Sequence, residues 1–155
     1  MGGHIKIKVS SNSDFAFENL KKDFMFYLSG EEFGDFSYGK EIKIRVFKEN
    51  APYHKVPALG ASLNGRGFIC YKDKNAHYID YAGCGLMVYD FKNEIADIYS
   101  KDENLLYEKA RLTILSRVGE LLDNRHIHRL HALGLAKDGK ATLCLLPMEA
   151  GKTTL

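Results

Sequence analysis

Gly151, Lys152 and Thr153 form a trio whose residue types suit a phosphate chain. In a phosphate-binding loop of the pattern GxxxxGK[ST], backbone N–H groups and the N-terminus of the next helix wrap the β-phosphate. The lysine ammonium spans the β- and γ-phosphates, and the hydroxyl ligates Mg2+. An apolar run, ATLCLL (Ala141 to Leu146), leads directly into this loop, as a buried strand would. Two positions depart from the pattern. Leu146 stands where the first glycine belongs, and Glu149 places a carboxylate where an anion would approach. That carboxylate repels a phosphate unless it points outward or helps hold the metal.

Three other sets of residues invite chemistry. HIHRLH, His126 to His131, holds three imidazoles. In an extended run His126 and His128 share one face and His131 takes the other, so three metal ligands do not converge. Tyr71, Tyr78, Tyr81 and Tyr89 offer an aromatic surface for a peptide or nucleic acid, but alternating strand tyrosines also serve sheet packing, and no basic stripe accompanies them. Cys84 lies between glycines in YAGCGLM, as some nucleophiles do, yet no histidine is placed beside it by spacing.

Composition narrows the setting for these residues. The chain has 155 residues, 45% hydrophobic and 27% charged, which is enough to bury a core without disulfides or metals. With 22 Lys and Arg against 20 Asp and Glu, the net charge of +2 gives no global pull toward nucleic acid or anionic membrane. Cys70, Cys84 and Cys144 are odd in number and form no CxxC pair, so buried reduced thiols are expected. The opening MGGHIKIKVSSNSD has no apolar run of signal-peptide length and lacks the hydroxyl at position six of a myristoylation signal. A cytoplasmic protein is the expectation.

Periodicity supplies the elements. HIKIKV (His4 to Val9) and EIKIRVF (Glu41 to Phe47) alternate apolar and charged residues, the pattern of half-buried strands. Asp14 to Leu28 places Phe17, Leu20, Phe24 and Leu28 on one helical stripe. Arg66 to Tyr71, Ala76 to Tyr81, Cys84 to Tyr89 and Ile95 to Tyr99 are short strands separated by polar or glycine turns, a meander or sandwich-like spacing. Leu105, Leu106, Ala110, Ile114, Leu115, Val118, Leu121 and Leu122 then recur at helical spacing, predicting an amphipathic helix from Asp102 to Leu122 with Ser100 and Glu103 as a capping box. Arg129 to Ala136 and Ala141 to Leu146 are two strands joined by a Lys137-Asp138-Gly139-Lys140 turn, the second apolar on both faces and expected at the centre of a sheet.

Taken together, LHALGLAKDGKATLCLLPMEAGKTTL (Leu130 to Leu155) resembles the opening of the kinase core of the HPr serine kinase/phosphorylase family. His131 at a strand start, the Asp138-Gly139 turn, ATLCLL, Pro147 and Gly151-Lys152-Thr153 fall in the family's order, over about the last sixth of the chain. The helix and β-rich stretch before it are similar in layout to small HPr-kinase-like proteins. The resemblance implies a P-loop fold related to phosphoenolpyruvate carboxykinase, with ATP and Mg2+ as cofactors. It implies a nucleotide-binding set of Glu149, Ala150, Gly151, Lys152, Thr153 and Thr154, with Lys152 on the phosphates and Thr153 on the metal. His131 would lie beside the phosphates as the candidate catalytic residue.

The family's acidic metal ligands and catalytic Asp have no counterpart before Leu155. Phosphoryl transfer rests on positioning around the metal, so the expectation is the N-terminal portion of a protein or peptide serine kinase, inactive as this fragment. The expected fold is α+β or α/β: a β-rich region with a terminal helix (residues 1–125), then the start of a kinase core (residues 126–155). The expected partners are ATP and a serine-bearing protein or peptide, with neither nucleic acid nor membrane; a homo-oligomer is left open. The alternatives are a non-catalytic peptide- or protein-binding module with a vestigial P-loop, or a nucleotide sensor.

Overall fold

A computed structural model describes residues 4–25, 38–58, 60–127 and 133–145. The chain divides into two compact units, Met1–Val118 and Gly119–Leu155. The first is an α+β unit built on a seven-stranded mixed sheet.

In chain order the elements are β1 (His4–Ser11), α1 (Asp14–Asp23), β2 (Tyr38–Lys48), β3 (Ala61–Gly65), β4 (Phe68–Lys72), β5 (Ala76–Asp80), β6 (Gly85–Asp90), β7 (Ile95–Ser100), α2 (Glu103–Asp123), β8 (Leu133–Lys137) and β9 (Lys140–Cys144). The large sheet has the order β1-β2-β7-β6-β5-β4-β3. β1, β2 and β7 run parallel, whereas β7 back to β3 is an antiparallel meander. The meander expected from strand spacing is therefore present, but in one open sheet and not in a sandwich. β3, ASLNG, was not foreseen: it is 5 residues long, and its Ser, Asn and Gly read as turn residues, while its pairing with β4 carries a register shift between Ala61 and Leu63.

Alternation decides the faces. Ile42, Ile44 and Val46 of β2 are buried beside Ala96 and Ile98 of β7, while Lys43 and Arg45 point to the opposite, solvated face. α2 covers the apolar face with Leu106, Ala110, Thr113 and Ile114 buried. Gly85 marks a place where the helix and the sheet come close. A Cβ there would lie 2.8 Å from Leu105 Cδ2 and 2.8 Å from the Tyr99 carbonyl. On the opposite face Phe47 and Tyr99 stack at 4.8 Å, and Arg45 forms a forked pair with Asp97. The connection after β2 is tied down by Tyr53, whose hydroxyl lies 2.9 Å from Asp80 Oδ1 and 3.1 Å from the Gly85 carbonyl. Burial and the Asp80 carboxylate push this phenol up to about 12.

The helix starts are specified by side chains. Ser13 caps α1 by accepting the Ala16 N–H and donates its own hydroxyl to Glu103 at 2.8 Å, joining the two helix starts. The capping box expected at Ser100 and Glu103 is not formed. Asp102 takes that role, accepting the N–H groups of Asn104 and Leu105. Ser100 is instead drawn inward, donating to the Cys84 carbonyl at 2.6 Å. A third residue competes for Glu103: Lys48 reaches it at 3.1 Å. α1 matches the first part of its expected span, and residues 26–28 lie outside the described residues.

The second unit contains the β8–β9 hairpin and the end of α2. Ile127 N–H reaches the Leu122 carbonyl and His126 N–H the Asp123 carbonyl, with His126 at φ +58°. That is a Schellman ending with histidine in the left-handed position usually given to glycine.

Candidate functional site

The β8–β9 hairpin leads toward the phosphate-loop sequence. Its turn has Asp138 at φ +51° and Gly139 at φ +74°, two successive left-handed residues, as a tight hairpin of the primed type demands. Pairing runs from Lys137 and Lys140 through Ala136 and Ala141 to Leu133 and Cys144. Asp-Gly was the signal in the sequence, and its chemistry produced the turn. β8 is described from Leu133 to Lys137, and the expected start at Arg129 lies outside the described residues; β9 runs from Lys140 to Cys144.

One expectation about the hairpin is corrected. The apolar run of β9 was assigned to a sheet centre, yet among the described residues it pairs with β8 alone. Leu135, Leu143 and Leu145 are 54%, 60% and 68% exposed. An apolar strand is buried only when neighbours cover both faces, and a two-stranded ribbon supplies none.

His131, Glu149, Ala150, Gly151, Lys152, Thr153 and Thr154 all lie outside the described residues, as does Leu146. Of the histidine run, His126 is described. Its left-handed backbone ends a helix, so the extended geometry considered for a ligand pair does not begin there. Among the described residues no group of three His, Cys, Asp or Glu side chains assembles to hold a metal ion.

The four tyrosines do not share a surface. Tyr71 and Tyr78 pair across β4 and β5 on the face opposite α2, and the Tyr78 hydroxyl lies 3.2 Å from Asp73. Tyr81 and Tyr89 face α2, under the Lys109 ammonium at 5.0 Å and the Arg117 guanidinium at 5.1 Å. Strand register separates them: Tyr71, Tyr78 and Val88 are cross-strand neighbours on one face, so Tyr89, one position after Val88, turns toward the helix. Cys84 is an exposed free thiol in the β5–β6 turn, 3.8 Å from the Ala82 carbonyl.

The strongest cluster of charged groups in the first unit was not foreseen. Glu94 sits in the β6–β7 turn at φ +54° and is buried. Arg117 of α2 reaches it at 3.2 Å, and the Tyr89 hydroxyl donates to its second oxygen at 2.5 Å. The Glu94 carbonyl also accepts the Lys43 N–H at 2.9 Å. One turn residue thus joins β2, β6 and α2. This cluster holds the helix on the sheet through the Arg117–Glu94 pair and the Tyr89 hydroxyl. No sequence spacing connects positions 94 and 117, so pattern reading had no access to it. Nearby, His77 Nε2 is buried without a hydrogen-bond partner among the described residues, and burial followed by the Lys72 charge holds this imidazole below its ordinary pKa.

No family model, curated protein or solved structure matches this chain. Among the described residues no helix is long and apolar enough to cross a membrane.

Proposed function

We propose that these residues carry the N-terminal portion of an ATP-dependent, HPr-kinase-like protein or peptide serine kinase. The nucleotide would be held by Glu149 to Thr154. The observation that carries the reading is the β8–β9 hairpin: its Asp138-Gly139 turn and its second strand stand immediately before Gly151-Lys152-Thr153. The donor set fits a metal–phosphate ligand in kind. Lys152 supplies a cation for phosphate oxygens, Thr153 a hard oxygen for Mg2+, and Gly151 room for the backbone to approach. Glu149 opposes this charge, so it must turn away from the phosphates or toward the metal. ATP would supply the phosphoryl group, and His131 would stand near it.

The test is nucleotide binding by the protein expressed from its native gene, after its intact mass has been compared with 17.5 kDa. Saturable, Mg2+-dependent ATP binding lost on Lys152→Ala supports the reading, and Glu149→Gln should tighten it. Binding that Lys152→Ala leaves unchanged would sink it. A second reading, a peptide-binding module, is favoured by the sheet face opposite α2, where Phe47, Tyr71, Tyr78, Val88, Ile95 and Tyr99 are half-buried and not sealed. A nucleotide sensor would bind ATP and transfer nothing to a serine peptide.

A further inference from the structure

The sheet ends at β1. Among the described residues this strand hydrogen-bonds β2 alone, so its outer row of N–H and C=O groups has no strand against it. β1 is 8 residues long and contains no proline, a ready template for a further strand. Its two faces specify what that strand should carry.

On the face opposite the helices, Lys8 and Lys43 both approach Glu41, at 2.9 and 3.7 Å. Two ammonium groups share one carboxylate, and Lys6 lies on the same face and adds to the field at Glu41. Lys8 keeps 54% of its side chain exposed despite the pair. On the helix-covered face, Ile7 and Val9 are half-buried, because the edge position leaves one flank of each uncovered. An added strand would therefore meet positive charge at one set of alternate positions and apolar surface at the other.

A second copy of β1 fits this edge poorly. Antiparallel pairing of two copies keeps like faces together and sets the lysine rows side by side, which is destabilising. We propose that β1 binds an extended polypeptide segment of alternating acidic and apolar residues, added to the sheet as an edge strand. The acidic side chains lie over Lys8, and the apolar ones extend the face of Ile7 and Val9. This deepens the binding-module reading and is independent of the nucleotide loop.

The experiment uses the whole chain and a fluorescein-labelled peptide of eight residues alternating Glu and Val, read by anisotropy. Saturable binding is expected, with an otherwise identical Lys-Val peptide failing to bind. Lys8→Glu should weaken binding by about tenfold through lost charge complementarity. Lys8 faces solvent, with 54% of its side chain exposed, and circular dichroism checks that the variant stays folded. Main-chain pairing makes a stricter demand. N-methylating one alternate set of peptide nitrogens should abolish binding, and methylating the other set should leave it intact. No saturable binding of the Glu-Val peptide overturns the proposal, as does binding indifferent to both methylation patterns. Lys152→Ala should leave the peptide affinity unchanged, so loss of ATP binding and loss of peptide binding are separate results.

Discussion

β6–β7 and β8–β9 are both short antiparallel hairpins rich in apolar residues, and they meet opposite fates. Leu86 and Ile98 of the first are fully buried, whereas Leu135 and Leu143 of the second are more than half exposed. Local turn chemistry is satisfied in both: Glu94 takes a left-handed backbone in one, and Asp138 and Gly139 do so in the other. The difference is the neighbourhood. β7 has β2 on its other side and α2 above, while β9 has a single described partner. A turn can make a hairpin, but it takes a third strand and a covering layer to make a core.

The largest effect should come from the ion pair that fastens the covering helix. Arg117→Ala leaves the Glu94 carboxylate buried beside Tyr89, and a loss of about 3–5 kcal/mol is expected in denaturant unfolding. Glu94→Gln, which removes the charge but keeps a hydrogen-bonding group, should cost less. Equal costs would show that packing, not charge, governs the site.

Next in size is the contrast between the two hairpins' surroundings. Leu106→Ala beneath α2 should destabilise by about 2–5 kcal/mol, since the side chain is fully buried. Leu143→Ala should change stability by less than about 0.5 kcal/mol, as an exposed position does. Comparable losses at both sites would mean that β9 is covered in solution.

The helix start offers a smaller test. Asp102→Ala should cost about 1 kcal/mol by removing the cap that accepts two N–H groups, while Ser100→Ala removes both the hydrogen bond to the Cys84 carbonyl and the one accepted from the Asp102 N–H. The smallest effect is a pH dependence at His77. Its folded pKa lies below the ordinary 6.5 because of burial and the Lys72 charge. The unfolded chain therefore takes up the proton first as pH falls. Stability is fully present above pH 6.5 and declines below it, until the folded imidazole also protonates. His77→Gln should flatten that slope in unfolding titrations between pH 7 and about 5. An unchanged slope would assign it to the carboxylates.

Much of the first unit was readable in the chain. HIKIKV and EIKIRVF became β1 and β2 because alternation of Ile or Val with Lys leaves one arrangement that buries one kind and solvates the other. The leucines after Asp102 became α2 over nearly the expected span, for the same reason at a period of 3.6. β3 escaped because ASLNG is short and its Ser, Asn and Gly read as turn residues, and the Ser100 cap failed because its hydroxyl donates to the Cys84 carbonyl and accepts the Asp102 N–H in place of that of Glu103. The phosphate loop is legible as a motif, through Gly151, Lys152 and Thr153, and its residues fall beyond those described.

Residue order alone determined the strands other than β3, the long helix and the Asp138-Gly139 turn, since each has a pattern legible within a few positions along the chain. Only the tertiary structure decided that β1 and β2 run parallel to β7 and that Glu94 meets Arg117. It alone separated the tyrosines onto two faces and set β1 at the edge of the described sheet. Those facts depend on which distant segments become neighbours. Burial, ion pairing and sheet edges are properties of neighbourhoods, and a neighbourhood exists only once the chain has folded.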